Sequence, residues 1–320
     1  MRAPAHWLTG GLAAIIAVSS ASAAVLGARP AWAGPAVGQF ELKDLEAEPG
    51  TVEFQSQNAH SWGQPSRRYF EEAPGDYEYD DNSVARQRHA LEIEMTLTHF
   101  FRMRVGIEYE KEILDDPDGP HSANDFAALE LDEIAAEGVV ILVPIKNRQG
   151  VGLGALVEVE HPLETGSPNS VNFGPIIEAH SGPWSAVTNL MLVHAFGGDQ
   201  EERDSKWDFA YAAQVKYDMT ENWAFALEAY GTFDRLGNTG TPGTERVLFG
   251  DHDQHRIGPL VYYSYRMGGG AGAVTSLEAA DADGDDDDEG TTVTVGLGLL
   301  AGLNENTPDA TLKWSVEVEF

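Results

Sequence analysis

The chain has 320 residues and a formal net charge of −32 at pH 7, because it carries 52 acidic and only 20 basic residues. Such an excess of carboxylates argues against nucleic acid as a partner. Hydrophobic residues make up 42% of the chain and include 13 Phe, 10 Tyr and 7 Trp, a composition too apolar for a disordered polymer. No cysteine is present, so disulfides and thiolate metal sites are excluded.

Residues 1–33 have the features of a signal peptide. Arg2 precedes an apolar stretch over 7–26, and small-residue cleavage patterns follow at 21–23 and 31–33. We expect cleavage at the second pattern, directly before the first acidic residues. A membrane anchor helix is the alternative, since the stretch approaches the roughly 20 residues that span a bilayer, but its many Ala, Gly and Ser residues disfavour it.

Alternation of apolar and polar residues with a period of two dominates after residue 50. It is clearest at 91–97, 101–110, 151–160, 207–217, 223–233 and 311–320. Weaker candidates at 51–62, 127–143, 170–181, 184–196, 255–266 and 291–303 bring the number to about twelve strands of about ten residues. The sequence therefore predicts an all-β fold, a closed, up-and-down, antiparallel barrel over residues 51–320.

Three places strain this pattern. Pro175 and Pro259 fall inside predicted strands, where we expect bulges because proline cannot donate to the strand ladder. The 127–143 segment changes parity near Asp132 and Glu133, which predicts a third bulge. An amphipathic helix is the alternative there.

The connections alternate in length when they are counted back from the last strand. Long connections, rich in Asp, Gly and Pro, are predicted on one side at 63–85, 111–126, 161–169, 197–206, 234–254 and 302–309. Short turns are predicted on the other side at 98–100, 144–150, 181–183 and 218–222. Long outside and short inside is the asymmetry of outer-membrane barrels, so we expect the short turns to face the periplasm.

The acidic residues 34–50 precede the first strand, and we assign them to a periplasmic N-terminal segment. They can instead fold back as a plug, and the sequence does not separate these two positions. A second acidic stretch at 268–290 breaks the short-turn rule, and we expect it to be a disordered insertion. A calcium loop is disfavoured there, because Gly284 and Asp286 do not match the glycine position of an EF-hand.

A soluble β-sandwich also alternates, so aromatic and charge placement must separate it from a transmembrane barrel. The predicted strand ends carry aromatic residues, as expected of the two interfacial girdles. These are Phe101, Trp184, Tyr217, Trp223, Tyr265 and Phe320 at the periplasmic ends, and Tyr109, Phe196, Trp207 and Phe233 at the outer ends. A closed barrel is the strand arrangement that satisfies every backbone amide in lipid.

The last strand ends Trp314-Ser-Val316-Glu-Val318-Glu-Phe320, with apolar residues alternating back from a C-terminal Phe. This ending resembles the assembly signature of Gram-negative outer-membrane proteins. The resemblance implies location in the cell outer membrane, contact with its lipid, and insertion by the barrel-assembly machinery. In length, strand number and N-terminal segment the chain is also similar to the barrel family named for the meta-pathway of phenol degradation, which includes the amyloid-secreting outer-membrane channel.

In a barrel of this kind the polar face points into the lumen. The predicted lumen residues are Glu92, Glu94, Arg102, Arg104, Glu108, Glu110, Glu158, Glu160, Glu178, Asp208, Lys216, Glu228, Arg256, Lys313, Glu317 and Glu319. Carboxylates predominate, which favours a narrow, cation-biased channel for small solutes. Arg102 and Arg104 can instead simply pair with neighbouring glutamates and stabilise the wall.

Two other functions compete with a channel. A plugged structural or surface barrel needs no transport, and some outer-membrane barrels are lipid hydrolases with Ser, His and a polar orienting residue on one outer face. No catalytic constellation stands out in the sequence, so we predict no enzyme activity and no cofactor. Divalent cations can bind at acidic loops, including the cluster at 251–255, although ordinary loop polarity explains these residues equally well.

Overall fold

The computed structural model describes residues 40–63, 69–73, 76–79, 84–113, 129–198, 207–236, 254–267, 290–304 and 307–320. The predicted signal peptide, and all but the last residue of the acidic insertion, lie outside these ranges. The described residues form fourteen strands: β1 (Val52–Trp62), β2 (Tyr69–Ala73), β3 (Asp76–Tyr79), β4 (Val84–Thr98), β5 (Phe101–Ile113), β6 (Glu130–Val143), β7 (Gln149–Pro162), β8 (Asn169–Ser181), β9 (Trp184–Phe196), β10 (Trp207–Asp218), β11 (Trp223–Leu236), β12 (Gln254–Met267), β13 (Thr291–Gly302) and β14 (Ala310–Glu319). Within the same ranges, no helix is long and apolar enough to cross a membrane.

Twelve of these strands form one closed antiparallel barrel, which confirms the predicted fold. The barrel closes through β1, where Ser56 pairs with Val316 of β14 on one side and with Leu91 of β4 on the other. Closure leaves no strand edge unpaired, as a barrel in lipid requires. The short strands β2 and β3 form a separate two-stranded sheet in the connection between β1 and β4, which the alternation pattern did not predict.

The two ends of the barrel differ in their connections. The first strand begins, and the last strand ends, at the end that also carries the turns at 99–100, 144–148, 182–183 and 219–222. We call this end the terminal end, and the opposite end the loop end. The arrangement follows from the up-and-down order, since each strand simply reverses the direction of the one before it.

The two faces of each strand have opposite chemistry. On β7, Leu156, Glu158 and Glu160 are buried inside the barrel, whereas Val151 is 65% exposed and Val157 51% exposed on the outside. Exposed aromatic residues mark the outer surface at the terminal end, namely Trp184, Tyr217, Trp223, Tyr265 and Phe320, and at the loop end, namely Phe196 and Trp207. An apolar outer surface with aromatic ends is typical of barrels that span a bilayer.

The inside of the barrel is divided by strand. Buried charged side chains lie mainly on β4 to β7, and buried apolar side chains lie mainly on β8 to β13. The apolar group includes Ile176, Val187, Met191, Val193, Ala210, Ala212, Leu260 and Leu300. The lumen therefore has one charged side and one apolar side.

The predicted bulges have different outcomes. Asp132 forms a bulge, because Glu108 pairs with Glu133 and the next pair joins Tyr109 to Leu131. The segment is a strand, so the helical alternative is wrong. The predictions at Pro175 and Pro259 are wrong, because the register continues unchanged through both prolines. Each proline follows a glycine, and the missing Cβ of that glycine allows the next strand to approach closely.

Candidate functional site

The predicted lumen residues lie on the inward faces of their strands. Eleven of the sixteen, among them Glu92, Glu94 and Glu228, are buried, and for all of these except Arg256 the neighbours on either side along the strand are more exposed. Glu110 binds Arg88 with a distance of 2.7 Å between Oε2 and Nε. Whether these side chains line a path for solutes stays a prediction.

Residues 40–48 run through the inside of the barrel, and we call them the lumen segment. Two hydrogen bonds of 2.7 Å join the backbone of Lys43 to the side chain of Asn189, one from Lys43 N to Oδ1 and one from Nδ2 to the Lys43 carbonyl. The backbone amide of Leu45 donates to Glu178 Oε2 at 2.7 Å. This part of 34–50 therefore lies inside the barrel, in the folded-back position that the sequence left open as an alternative.

The charged side chains of the lumen segment meet the charged side of the wall. Arg102 donates from Nη1 to Asp44 Oδ1 at 3.0 Å and from Nη2 to the Asp44 carbonyl at 2.6 Å. Glu41 contacts both Arg104 and Lys43. These contacts give the acidic segment an anchor in a lumen that is itself acidic.

The same two arginines also bind carboxylates of the wall. Arg104 lies 3.1 Å from both Glu92 and Glu137, and Arg102 lies 3.1 Å from Glu94. The cross-strand pairing that the sequence allowed therefore exists, and the lumen segment adds to it. Because the arginines keep these wall partners, they remain neutralised if the segment leaves.

The apolar side chains of the lumen segment pack against β7, at the edge of the charged side, and against β11 on the apolar side. Leu45 is 5% exposed and fills the space over Gly154, where an added Cβ would lie 2.5 Å from Leu45 Cδ2. Phe40 packs edge-on against Tyr230 with ring centroids 5.2 Å apart, and the Arg256 guanidinium lies 4.9 Å from the Phe40 ring centroid. The segment thus matches both sides of the divided lumen.

Tyr230 belongs to a buried network that supports this contact. Glu228 accepts hydrogen bonds from Lys313 Nζ at 2.8 Å and from the Tyr230 hydroxyl at 2.5 Å, and Tyr262 also donates to it. Glu228 is 1% exposed, so its charge is compensated by Lys313 and by hydroxyl groups rather than by water. The network holds the Tyr230 ring in position against Phe40.

The pKa of Glu46, a residue of the lumen segment, is shifted. The charge of Asp44 and, to a smaller extent, the loss of bulk water around the segment raise the pKa of the Glu46 carboxyl above its ordinary value, although the residue itself stays exposed. Enclosure of the segment therefore favours the protonated form of Glu46.

A second group of carboxylates lies inside the barrel toward the loop end. Glu108 and Glu133 are direct partners across β5 and β6, and Glu158 and Glu160 follow on β7. We call these four residues the acidic cluster. Asn172 on β8 donates from Nδ2 to Glu160 Oε1 at 2.8 Å and to Glu158 Oε2 at 3.3 Å.

The sequence identified three of these four carboxylates but missed Glu133, Asn172 and Asn189. The alternation pattern assigns a face to a residue, and Glu133 sits beside the bulge that interrupts the pattern. Asparagine side chains carry no charge that would mark them, so only their position in the barrel reveals their contacts.

A polar group on the outer face bears on the enzyme alternative. His89 Nδ1 lies 2.7 Å from Asn58 Oδ1, and Asn58 Nδ2 donates to the Ser56 hydroxyl at 3.1 Å. The Ser56 hydroxyl thus contacts the amide rather than the imidazole that would have to activate it. These contacts satisfy polar groups in the wall, but they do not pair the Ser56 hydroxyl, as a nucleophile, with His89 as its base.

Metal binding at the acidic loops stays a prediction, because 251–253 and 268–289 lie outside the described residues. Among the residues that are described, no three or more His, Asp or Glu side chains are placed to hold a metal ion.

No protein-family model matches the sequence, and no curated protein matches it. Among solved structures, the chain is similar to the COG4313 outer membrane channel from Pseudomonas putida F1, with 12% identity, 87% of this chain and 98% of that chain covered, and a TM-score of 0.51. It is also similar to the KdgM porin in complex with disordered oligogalacturonate, with 6% identity, 84% and 98% covered, and a TM-score of 0.42. The first likeness shows a shared barrel fold at an identity too low to show a shared function.

Proposed function

We propose that the protein is a channel for small solutes in the outer membrane of a Gram-negative bacterium, closed in this state by the lumen segment. The observation that carries the proposal is the way in which the lumen is filled. The obstruction at Lys43, Asp44 and Leu45 is a single segment held by side-chain contacts, not a strand of the wall. Departure of the segment would open a lumen with a charged side, as solute channels have.

The charge of the wall supports a bias toward cations. Carboxylates outnumber basic side chains among the inward residues, and those of the acidic cluster are largely shielded from bulk water. Fields between buried charges are weakly screened, so an excess of carboxylates attracts cations and repels anions.

The proposed location rests on the outer surface and on the last strand. Trp314 and Val316 face outward on β14, and the exposed Phe320 follows directly after it. This ending supports insertion by the barrel-assembly machinery, with the terminal end toward the periplasm. The barrel shares its fold with the outer membrane channel from Pseudomonas putida F1. We also propose that the chain belongs to the barrel family named for the meta-pathway of phenol degradation.

A plugged structural barrel is the second candidate, and the buried contacts of Lys43 and Leu45 favour it. The two candidates differ in whether the lumen segment can leave. Since the chain contains no cysteine, an engineered disulfide can lock the segment without competing thiols. Leu45→Cys with Gly154→Cys joins two positions that already lie in contact.

We would measure conductance in planar bilayers for the original protein, the double-cysteine variant and the Leu45→Cys single variant. We expect the oxidised double variant to stay closed and to open on reduction, whereas the single variant should respond to neither treatment. Deleting residues 40–48 should raise conductance further. A folded deletion variant that does not conduct would show that the barrel is structural, and release of fatty acid from phospholipid by the original protein would favour a lipid hydrolase.

A further inference from the structure

The acidic cluster brings four carboxyl groups together without matching positive charge. Glu108, Glu133, Glu158 and Glu160 are each at most 9% exposed. Arg88, the basic side chain of this part of the wall, forms its ion pair with Glu110. Arg104 is occupied by Glu41, Glu92 and Glu137. The cluster therefore keeps an excess of carboxylates in a site with little water.

The contacts within the cluster require a proton or a cation. Glu108 and Glu133 are direct cross-strand partners, and both side chains are buried inside the barrel. Like charges at such short range repel strongly where water is excluded. Either protonation or a bound positive group must relieve this repulsion.

Asn172 adds an independent sign of a missing donor. Its side chain is completely buried and donates to Glu158 and Glu160, but its Oδ1 has no hydrogen-bond partner in the described part of the chain. Buried amide oxygens are nearly always paired, so an acceptor left open beside an acidic cluster suits a ligand that donates. A water molecule would satisfy the oxygen but would leave the charge of the cluster unchanged.

The lumen already accommodates an ammonium group next to this position. Lys43 of the lumen segment places Nζ 3.4 Å from Glu137, and Glu137 is the direct cross-strand partner of Glu158. Glu160 lies two residues further along β7 toward the loop end. The Lys43 ammonium group therefore lies at the carboxylate that is next to the acidic cluster on the wall.

We propose that the acidic cluster binds the primary ammonium group of a small solute, so that small amines are the substrate class of the channel; this inference rests on the proposed function. A primary ammonium group carries three donors and one positive charge, which suit the carboxylates of Glu158 and Glu160 and the open oxygen of Asn172. A chelated metal ion fits less well, because no described group of acidic or histidine side chains has the geometry to hold one.

The experiment is calorimetric titration of the refolded, full-length barrel in detergent with putrescine. Tetramethylammonium carries the charge without N–H donors, and 1,4-butanediol carries O–H donors without a charge, so the three probes separate charge from hydrogen bonding. Glu158→Gln with Glu160→Gln should weaken putrescine binding at least about tenfold, since charge-assisted hydrogen bonds are lost. Glu221→Gln, an exposed carboxylate in the turn between β10 and β11, is the matched control and should bind putrescine unchanged.

Folding of each variant is checked first by its heat-modifiable mobility on a detergent gel. Putrescine binding that is lost in the double variant supports the site, and it does so even if the protein does not conduct, in which case only the channel proposal fails. Equal affinity for putrescine and tetramethylammonium, or equal affinity of the original protein and the double variant, would overturn the site even if the pore conducts.

Discussion

Single residues decide how this barrel tolerates proline in its wall. Pro175 pairs in register with Ala155 of β7, while on the other side the ladder to β9 is interrupted between Phe173 and Ile176. Gly174 allows β9 to approach at this point, because a Cβ on residue 174 would lie only 1.7 Å from the Leu190 carbonyl oxygen. The same arrangement recurs at Pro259, where the preceding glycine is approached by the backbone of β13. A glycine before proline thus replaces the bulge.

Replacing this glycine should therefore destabilise the barrel. We expect Gly174→Ala to lower the free energy of unfolding by about 1–3 kcal/mol or more, because the new methyl group collides with backbone that cannot move aside. Urea unfolding of the refolded barrel measures the change. Gly138→Ala is the control, since its Cβ would meet only the Phe101 ring, at 3.4 Å or more; equal midpoints for the two variants would contradict the explanation.

At the scale of elements, the last strand shows how alternation separates lipid from lumen. Val316 is 38% exposed on the outside, between Ser56 of β1 and Val295 of β13. Its neighbour Glu317 points to the inside, opposite Gln55. One residue along the strand therefore changes the environment from lipid to lumen.

Charge on the outer face of β14 should be costly. Val316→Arg is expected to lower stability by about 2–4 kcal/mol if the position lies near the midplane of the bilayer, because the charge must enter lipid. Glu317→Gln should cost less, because the side chain stays inside. Refolding into lipid vesicles under a urea gradient would measure both, and equal costs would mean that the faces are assigned the wrong way round.

The lumen segment is the element whose position should respond to pH. The pKa of Glu46 is raised from its ordinary value of 4.5 by the charge of Asp44, which moves with the segment, and by the removal of water inside the barrel, which ends when the segment leaves. The contribution of Glu46 to the stability of the enclosed state is therefore fully present below pH 4.5. It is lost as pH rises through the higher pKa that Glu46 has in the enclosed state.

Channel opening should consequently increase as pH rises above 4.5. Glu46→Gln removes the titrating group and should flatten the pH dependence while keeping the segment enclosed at neutral pH. Conductance of the two proteins across a pH series checks this. Opening that decreases with rising pH in the original protein, or an identical pH profile in the variant, would count against the role of Glu46.

At the scale of the whole molecule, the wall has a charge that should select ions. In a salt gradient the open pore is expected to give a reversal potential of cation-selective sign. The selectivity should shrink in concentrated salt, since the Debye length falls from about 10 Å at 0.1 M to about 3 Å at 1 M. Neutralising Glu92, Glu94 and Glu108 together should weaken it further, because it leaves Arg102 and Arg104 with fewer wall partners. Anion selectivity in the original protein would refute the electrostatic argument.

The sequence by itself determined the barrel, the number of its strands and the faces of its residues, because alternation is a local property that a strand of ten residues already displays. Leu156 and Val157 differ in environment for this reason alone. Only the tertiary structure decided what fills the lumen. Lys43 and Asn189 are 146 residues apart, and the acidic cluster is assembled from three strands, so these contacts depend on barrel closure and register rather than on any pattern within one strand.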